Sequence, residues 1–327
     1  FSNVGFFVFF LWIVIATAIT STHKQLWDVL IDNSYFLLIP MAFALVTQHT
    51  LSKMLCYFEK GMLAYSLLLL VFSITSFLNE NPDDSFVKFI ETTTELFWHT
   101  SYLSALFLII FIKRIKEPIT ASISLIVFYV AALSFMYIVN ARLPFIVGFL
   151  LIGVKVFIHL KKHSTKIGFV LVAFLCTIGA VLFFLTKEPL KESKNENNIG
   201  DINNLDARLS IWSSSFKEAK NHFVFGVGSE NTVDAIAKSI DDGINTKFRN
   251  YNCHNQFMEI LLGHGIIALV IFLFLLMKLF RSKSVYARSF IFMCVILFLV
   301  ESYLQRQAGV IFFTFWYSFF LKFNKDE

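Results

Sequence analysis

Ten runs of largely apolar residues divide this chain, most of them close to the ~20 residues a helix needs to cross a ~30 Å hydrocarbon layer. They occupy roughly 4–21, 33–48, 60–78, 100–113, 119–138, 142–160, 167–186, 256–277, 287–303 and 306–322. A water-facing shell for a two-domain enzyme is out of reach, because 57% of the residues are hydrophobic, only 16% are charged, and phenylalanine alone fills 41 of 327 positions. The expected fold is therefore an all-α, polytopic helical bundle in a bilayer. The chain begins at Phe1, and no cleavage-site pattern follows its first apolar run. That run reads as a span, with N-terminal residues expected to be missing.

Short loops rich in Lys and Arg stay in the cytoplasm, so alternate loops should differ in basic content if the spans are counted correctly. One set holds Lys53, Lys60, Lys113, Arg114, Lys116, Lys161, Lys162, Lys166, Lys278, Arg281, Lys283, Arg288, Lys322 and Lys325, with Glu59, Glu117, Asp326 and Glu327 as its acidic members. The opposite set carries the other 19 acidic residues and 13 basic ones, leaving Lys155 inside a span. The first set is assigned to the cytoplasm. The formal net charge of +5 is thus spread over short loops as an orientation signal and forms no patch for nucleic acid. Of the four cysteines, Cys56, Cys176, Cys253 and Cys294, only Cys253 falls clearly on the outer side, so no disulfide framework is expected and each reads as a small apolar filler.

One large loop interrupts the bundle, giving three expected regions: spans one to seven over 1–185, the loop over 186–255, and spans eight to ten with a short tail over 256–327. The loop opens with the polar run KEPLKESKNENNIGDINN. Asp206 then can cap a helix whose Leu209, Trp212, Phe216 and Ala219 recur at helical spacing, ending near Gly226. A second amphipathic helix is expected over 231–242, with Val233, Ile236, Ala237 and Ile240 on one face and Gly243 after it.

This topology brings ionisable residues to one outer side: His99, Arg142, Glu301 and Arg306 at span ends, and Arg208, Arg249 and His254 from the loop. Each has a bland reading beside the functional one. His99 between Trp98 and Tyr102 suits an interfacial anchor, and Glu301 suits an ion pair with Arg306 across a tight turn. Their convergence suits an anionic substrate, since arginine forks hold phosphate bidentately and a neutral histidine accepts a proton from an attacking hydroxyl. No Asp-x-Asp motif holds a divalent ion, and no Gly-x-x-x-x-Gly-Lys loop marks a nucleotide site, so neither a metal nor a cofactor is expected.

The run Arg208-Leu-Ser-Ile-Trp212, then Asn221-His-Phe-Val-Phe-Gly226-Val-Gly228, then His254-Asn255 and Gly263-His-Gly265 resembles the signature of the O-antigen ligase and polymerase family. The nine residues between Asn255 and Gly265 fit the ligase-type pattern, whereas Ala268, three residues on, departs from it. His99-Thr-Ser-Tyr102 and the run from Glu301 to Gly309 are also similar to versions of the family from Bacteroidetes-type bacteria. The resemblance spans about 99–310.

The resemblance implies a glycosyltransferase of the bacterial inner membrane, with about twelve spans in a full chain, working on the periplasmic face. Its donor would be an undecaprenyl-diphosphate-linked glycan. The acceptor would be a hydroxyl of a lipid A–core sugar in a ligase, or the end of another lipid-linked repeat in a polymerase. By the same carry-over, Arg142 and Arg208 would hold the diphosphate, His254 would orient or deprotonate the acceptor, and Asn255 would fix it, with inversion at the anomeric centre. His99, Arg249, Glu301 and Arg306 join Asn255 as candidate substrate contacts, while His222, reading as a turn residue, His264 and Glu259 are weaker. A polytopic transporter is the reading from another class; it predicts inverted repeats and polar midplane residues, of which the spans show few.

Overall fold

In the computed structural model, residues 4–78, 100–116, 123–138, 141–160, 205–239 and 251–323 are described. Every regular element among them is helical. The chain divides into two compact units, one of Phe1–Val46 with Lys191–Glu327 and the other of Thr47–Leu190. The first contains α1 (Val4–Thr20), α2 (His23–Asn33), α3 (Tyr35–Leu45), α8 (Leu205–Asn221), α9 (Thr232–Ser239), α10 (Gln256–Phe280), α11 (Val285–Val300) and α12 (Gln307–Lys322). The second contains α4 (Gln48–Leu78), α5 (Thr100–Lys113), α6 (Ile123–Ile138) and α7 (Arg142–Leu160).

Nine of the ten expected spans coincide with these helices, and the run 167–186 lies outside the described residues. Among the described residues, two stretches are by length and composition apolar enough to cross a membrane: Lys24–Leu45, with a mean hydropathy of 1.4, and Gln256–Phe280, with 2.8. The helix α4 starts at Gln48 rather than near residue 60, because its polar first turns continue the helix without adding to the apolar run.

Where apolar surface gains little by leaving lipid, close packing must hold helices together. The first unit does this with aromatic rings. Phe6 meets Tyr317 at 4.8 Å, Phe9 meets Phe36 at 5.1 Å and Phe298 meets Phe313 at 5.4 Å between ring centroids, each edge to face. Edge-to-face pairs add about 0.5–1.5 kcal/mol each beyond the area they cover. The Tyr317 hydroxyl, buried in this cluster, donates to the Leu275 carbonyl at 2.8 Å.

The second unit buries charge. Glu59 is 5% exposed and pairs with both Lys113 and Arg114. Lys155, the basic residue assigned to the interior of a span, is 2% exposed; its ammonium donates to the Arg114 carbonyl at 2.8 Å and the Tyr129 hydroxyl at 3.1 Å. Loops that basic content puts on one side therefore meet here, and Lys322 likewise donates to the carbonyls of Phe43 and Ala44 in the first unit.

One element departs from regular geometry. At Gly265, φ 79° and ψ −177° break α10 into two helices. The groups freed by the break find partners in the turn 222–228: Val227 N–H donates to the Leu262 carbonyl at 2.8 Å, Gly228 N–H to Gly263 at 2.9 Å, and Ile266 N–H to the Phe223 carbonyl at 2.9 Å. The Trp12 indole donates to the His264 carbonyl at 3.0 Å and stacks on Phe225. Two sequence runs singled out for their glycines thus close on each other backbone to backbone. A Cβ on Gly265 would lie 1.9 Å from the Val224 oxygen, and one on Gly226 would lie 2.5 Å from the Leu262 oxygen. Both positions also have positive φ.

Two outcomes follow for folding. Gly265→Ala should remove more than ~3 kcal/mol and leave little monodisperse protein on size-exclusion chromatography, while Gly61→Ala, whose new methyl meets nothing within 4 Å, should behave as wild type. Glu59→Ala should cost about 3 kcal/mol by stranding two cations, read as a lower thermal midpoint, with Arg114's partial exposure keeping it at the low end for buried pairs.

Candidate functional site

The segment Tyr251 to Asn255 enters α10, and the site is assembled around it. Asn255 caps the helix: its side-chain oxygen accepts from Phe257 N–H at 3.0 Å and Met258 N–H at 3.1 Å. Its amide nitrogen donates to the Leu299 carbonyl at 3.1 Å, and its backbone N–H to Ser302 Oγ at 3.3 Å. One side chain therefore starts α10 and ties it to the end of α11.

His254 adopts φ 44°, a left-handed conformation that costs a histidine energy unless the surroundings impose it. Asn252 supplies part of that constraint by accepting the His254 N–H at 3.0 Å. The result turns the imidazole toward Glu301, with Nδ1 3.2 Å from Oε2. The sequence reading paired Glu301 with Arg306; the structure pairs it with His254, because the three-residue turn Tyr303–Gln305 separates the two and Arg306 becomes the exposed residue preceding α12. Among the described residues Arg306 has no ion pair.

Arg208 lies in the first turn of α8, and its Nη1 donates to the Val300 carbonyl at 3.0 Å, next to Glu301 in the chain. Trp212, one turn later, donates from its indole to the Cys253 carbonyl at 2.9 Å. Both residues of the Arg208-to-Trp212 run thus hold α8 against the His254 segment. Of the four apolar residues at helical spacing, Ala219 is buried and Trp212 packs against the core with Ile211, whereas Leu209 and Phe216 are each 49% exposed; Ser215 is buried beside Ile211. Ser215 makes this possible by returning its hydroxyl to the Ile211 carbonyl at 2.7 Å. The shorter α9 agrees better with its expected face, with Ile236 fully buried.

Sequence reasoning underrated the layer beneath His254. Glu259 is 6% exposed; its Oε2 accepts from Cys253 N–H at 3.0 Å and from the Ser302 hydroxyl at 3.4 Å, and its Oε1 from Gln305 at 3.3 Å. Gln256, 2% exposed, accepts from Leu304 N–H at 2.6 Å. The position of Glu259 one turn into α10 was a readable signal, whereas nothing in the sequence marks Gln256, Ser302 or Gln305. Burial and the Glu259 carboxylate push the Cys253 thiol well above its ordinary range, so it remains protonated, in keeping with a filler role. His222 is an exposed turn residue, as expected.

The remaining predicted residues are placed elsewhere. Arg142 opens α7 in the second unit and is half-buried. His99 and Arg249 lie outside the described residues. Among the described residues no group of histidine, cysteine and acidic side chains is arranged to hold a metal ion.

Residues 127–273, from α6 into α10, match the family model described as O-antigen ligase. Over this segment the chain is similar to the O-antigen ligase family. No curated protein matches the chain. The match supports ligase- or polymerase-type glycan transfer in general, and a membrane setting is in line with the two stretches among the described residues that are apolar enough to cross one. The matched segment includes Arg142, Arg208, His254, Asn255 and the Gly263-His-Gly265 run. Glu301 and Arg306 lie beyond it, so the His254–Glu301 contact is an observation of the structure alone.

Removing the cap separates its two duties. Asn255→Ala should lower stability by about 1 kcal/mol or more, seen as a lower thermal midpoint, and Asn255→Asp should keep the cap and most of the midpoint while losing the contact to Leu299.

Proposed function

We propose that the protein transfers a glycan from undecaprenyl diphosphate to an acceptor hydroxyl on the periplasmic face of the bacterial inner membrane, as an O-antigen ligase acting on lipid A–core. The observation that carries the mechanism is the His254 Nδ1 to Glu301 contact of 3.2 Å beside the Arg208 anchor on Val300. With Nδ1–H donated to the Glu301 carboxylate, Nε2 is left as the acceptor, the tautomer a general base requires. Glu301 then stabilises the imidazolium formed when the acceptor hydroxyl gives up its proton. The oxygen attacks the anomeric carbon, the bond to the diphosphate breaks, and the anomeric configuration inverts.

Charge gathers on the departing diphosphate, and a guanidinium fork is suited to offset it. Arg208 is assigned that role in this reading. Arg142 is assigned it too, on the strength of the family resemblance. His99, Arg249 and Arg306 are proposed substrate contacts, and Asn255 holds the histidine segment in place. The three regions 1–185, 186–255 and 256–327 keep their proposed duties of membrane bundle, outer loop and closing spans. Ala268 favours keeping a second reading, a polymerase joining lipid-linked repeats with the same residues, since it departs from the ligase pattern.

The test is transfer of glycan to lipid A–core in a ligase-null strain carrying the full-length gene, read on a lipopolysaccharide gel. Wild type should restore attachment. His254→Ala, Arg142→Ala and Arg208→Lys should each lose ~10²–10³ in rate at normal abundance, the ~2–4 kcal/mol that one charged transition-state contact is worth. Glu301→Gln should retain more than Glu301→Ala, because the amide still reaches the imidazole. Normal transfer by the His254 and Arg208 variants overturns the assignment, and rescue confined to a polymerase-null strain selects the polymerase.

A further inference from the structure

A cavity of about 410 Å³ opens in the first unit, bounded by α1, α2, α3, the start of α9, the first half of α10 and the turn before α12. The mechanism above makes no use of it as a site. Its wall contains three polar side chains that are at least nine-tenths buried: Gln256, Glu259 and His264. The Nδ1 of His264 is sealed off from the cavity, whereas the side-chain amide nitrogen of Gln256, 2% exposed, has no acceptor among the described residues. A polar atom in that state is costly to keep, which points to a ligand.

The charge on the wall narrows the choice of ligand. Asp32, Glu230 and Glu259 face it against one guanidinium, Arg306. Glu259 is occupied by protein donors, whereas among the described residues no donor is found for Asp32 or Glu230. Burial, together with the neighbouring carboxylates of Asp32 and Asp28, pushes the Glu230 carboxyl above its ordinary range. Such a wall repels a diphosphate. It suits hydroxyl groups, which donate to carboxylates and exchange hydrogen bonds with amides and imidazole. Glu259 also links the cavity to the reacting segment, since the same carboxylate accepts the Cys253 N–H next to His254.

We propose that this cavity is a sugar subsite that admits rings without negative charge and rejects anionic ones, so that it holds a sugar of the donor or acceptor glycan apart from the diphosphate. The assignment rests on the glycan-transfer reading. Asp32 and Glu230 set its charge selectivity, and the Gln256 amide completes the hydrogen bonding of the bound ring.

The experiment uses the full-length protein in lipid nanodiscs and saturation-transfer NMR. The probes are methyl glycosides of gluco, galacto and manno configuration, each as the neutral sugar, the 2-amino sugar and the uronic acid. At least one neutral or amino glycoside should bind saturably, and its uronic acid should bind at least tenfold more weakly. In the double variant Asp32→Asn, Glu230→Gln that gap should shrink to threefold or less. Inorganic diphosphate should bind that variant as it binds wild type, which shows the protein intact, and should bind Arg208→Ala weakly. Absence of neutral and amino binding, equal binding of the uronic acid, competition of diphosphate with the sugar, or an unchanged gap in the double variant overturns the subsite. Glycoside binding with this charge order in a protein that transfers no glycan overturns the catalytic reading instead.

Discussion

The break of α10 at Gly265 constrains what surrounds it more than any other feature. A helix interrupted in its middle frees backbone groups that must find new partners once they are buried. The turn 222–228 supplies those partners through its own backbone, and the Trp12 indole donates to the His264 carbonyl. The approach is so close that side chains at Gly226 and Gly265 have no room. Because the turn follows α8 directly, the lock also fixes where α8 ends, and Trp212 and Arg208 carry that position back to Cys253 and Val300.

The candidate site inherits its geometry from this arrangement. His254 pays for a left-handed backbone, a local cost accepted where the surroundings over-determine it. Asn252, Asn255, Ser302 and Glu259 provide that over-determination through a continuous set of hydrogen bonds between the start of α10 and the residues after α11. The imidazole is aimed by rigid elements on both sides.

Much of this was legible in the sequence. Apolar runs located the helices, alternating basic loops put Glu59 on the same side as Lys113 and Arg114, and the order of short motifs around one loop led to His254-Asn255. The gaps and the errors have physical causes. On α8 the helical spacing of Leu209, Trp212, Phe216 and Ala219 left open whether they rest on a membrane or on other helices; Trp212 and Ala219 pack inward while Leu209 and Phe216 stay exposed, because near a membrane hydrophobicity does not mark the packed side. Glu301 was paired with Arg306 by proximity in sequence, whereas a distant histidine reaches it once the turn is formed. Gln256, Ser302 and Gln305 gave no signal, because their role lies in satisfying one buried carboxylate and exists only in the folded arrangement. The cavity beside them was invisible for the same reason.

A covalent test of the lock bears most directly on this account. Phe223→Cys and Ile266→Cys, introduced together into a full-length chain lacking other cysteines, would place thiols on two residues joined by a 2.9 Å backbone hydrogen bond. Mild oxidation in membranes should form the disulfide nearly completely, seen as a mobility shift reversed by reductant, and glycan transfer should continue at the rate of the reduced protein. Failure to cross-link while transfer persists, or loss of transfer on oxidation that reductant restores, would contradict a permanent lock between the turn and the broken helix.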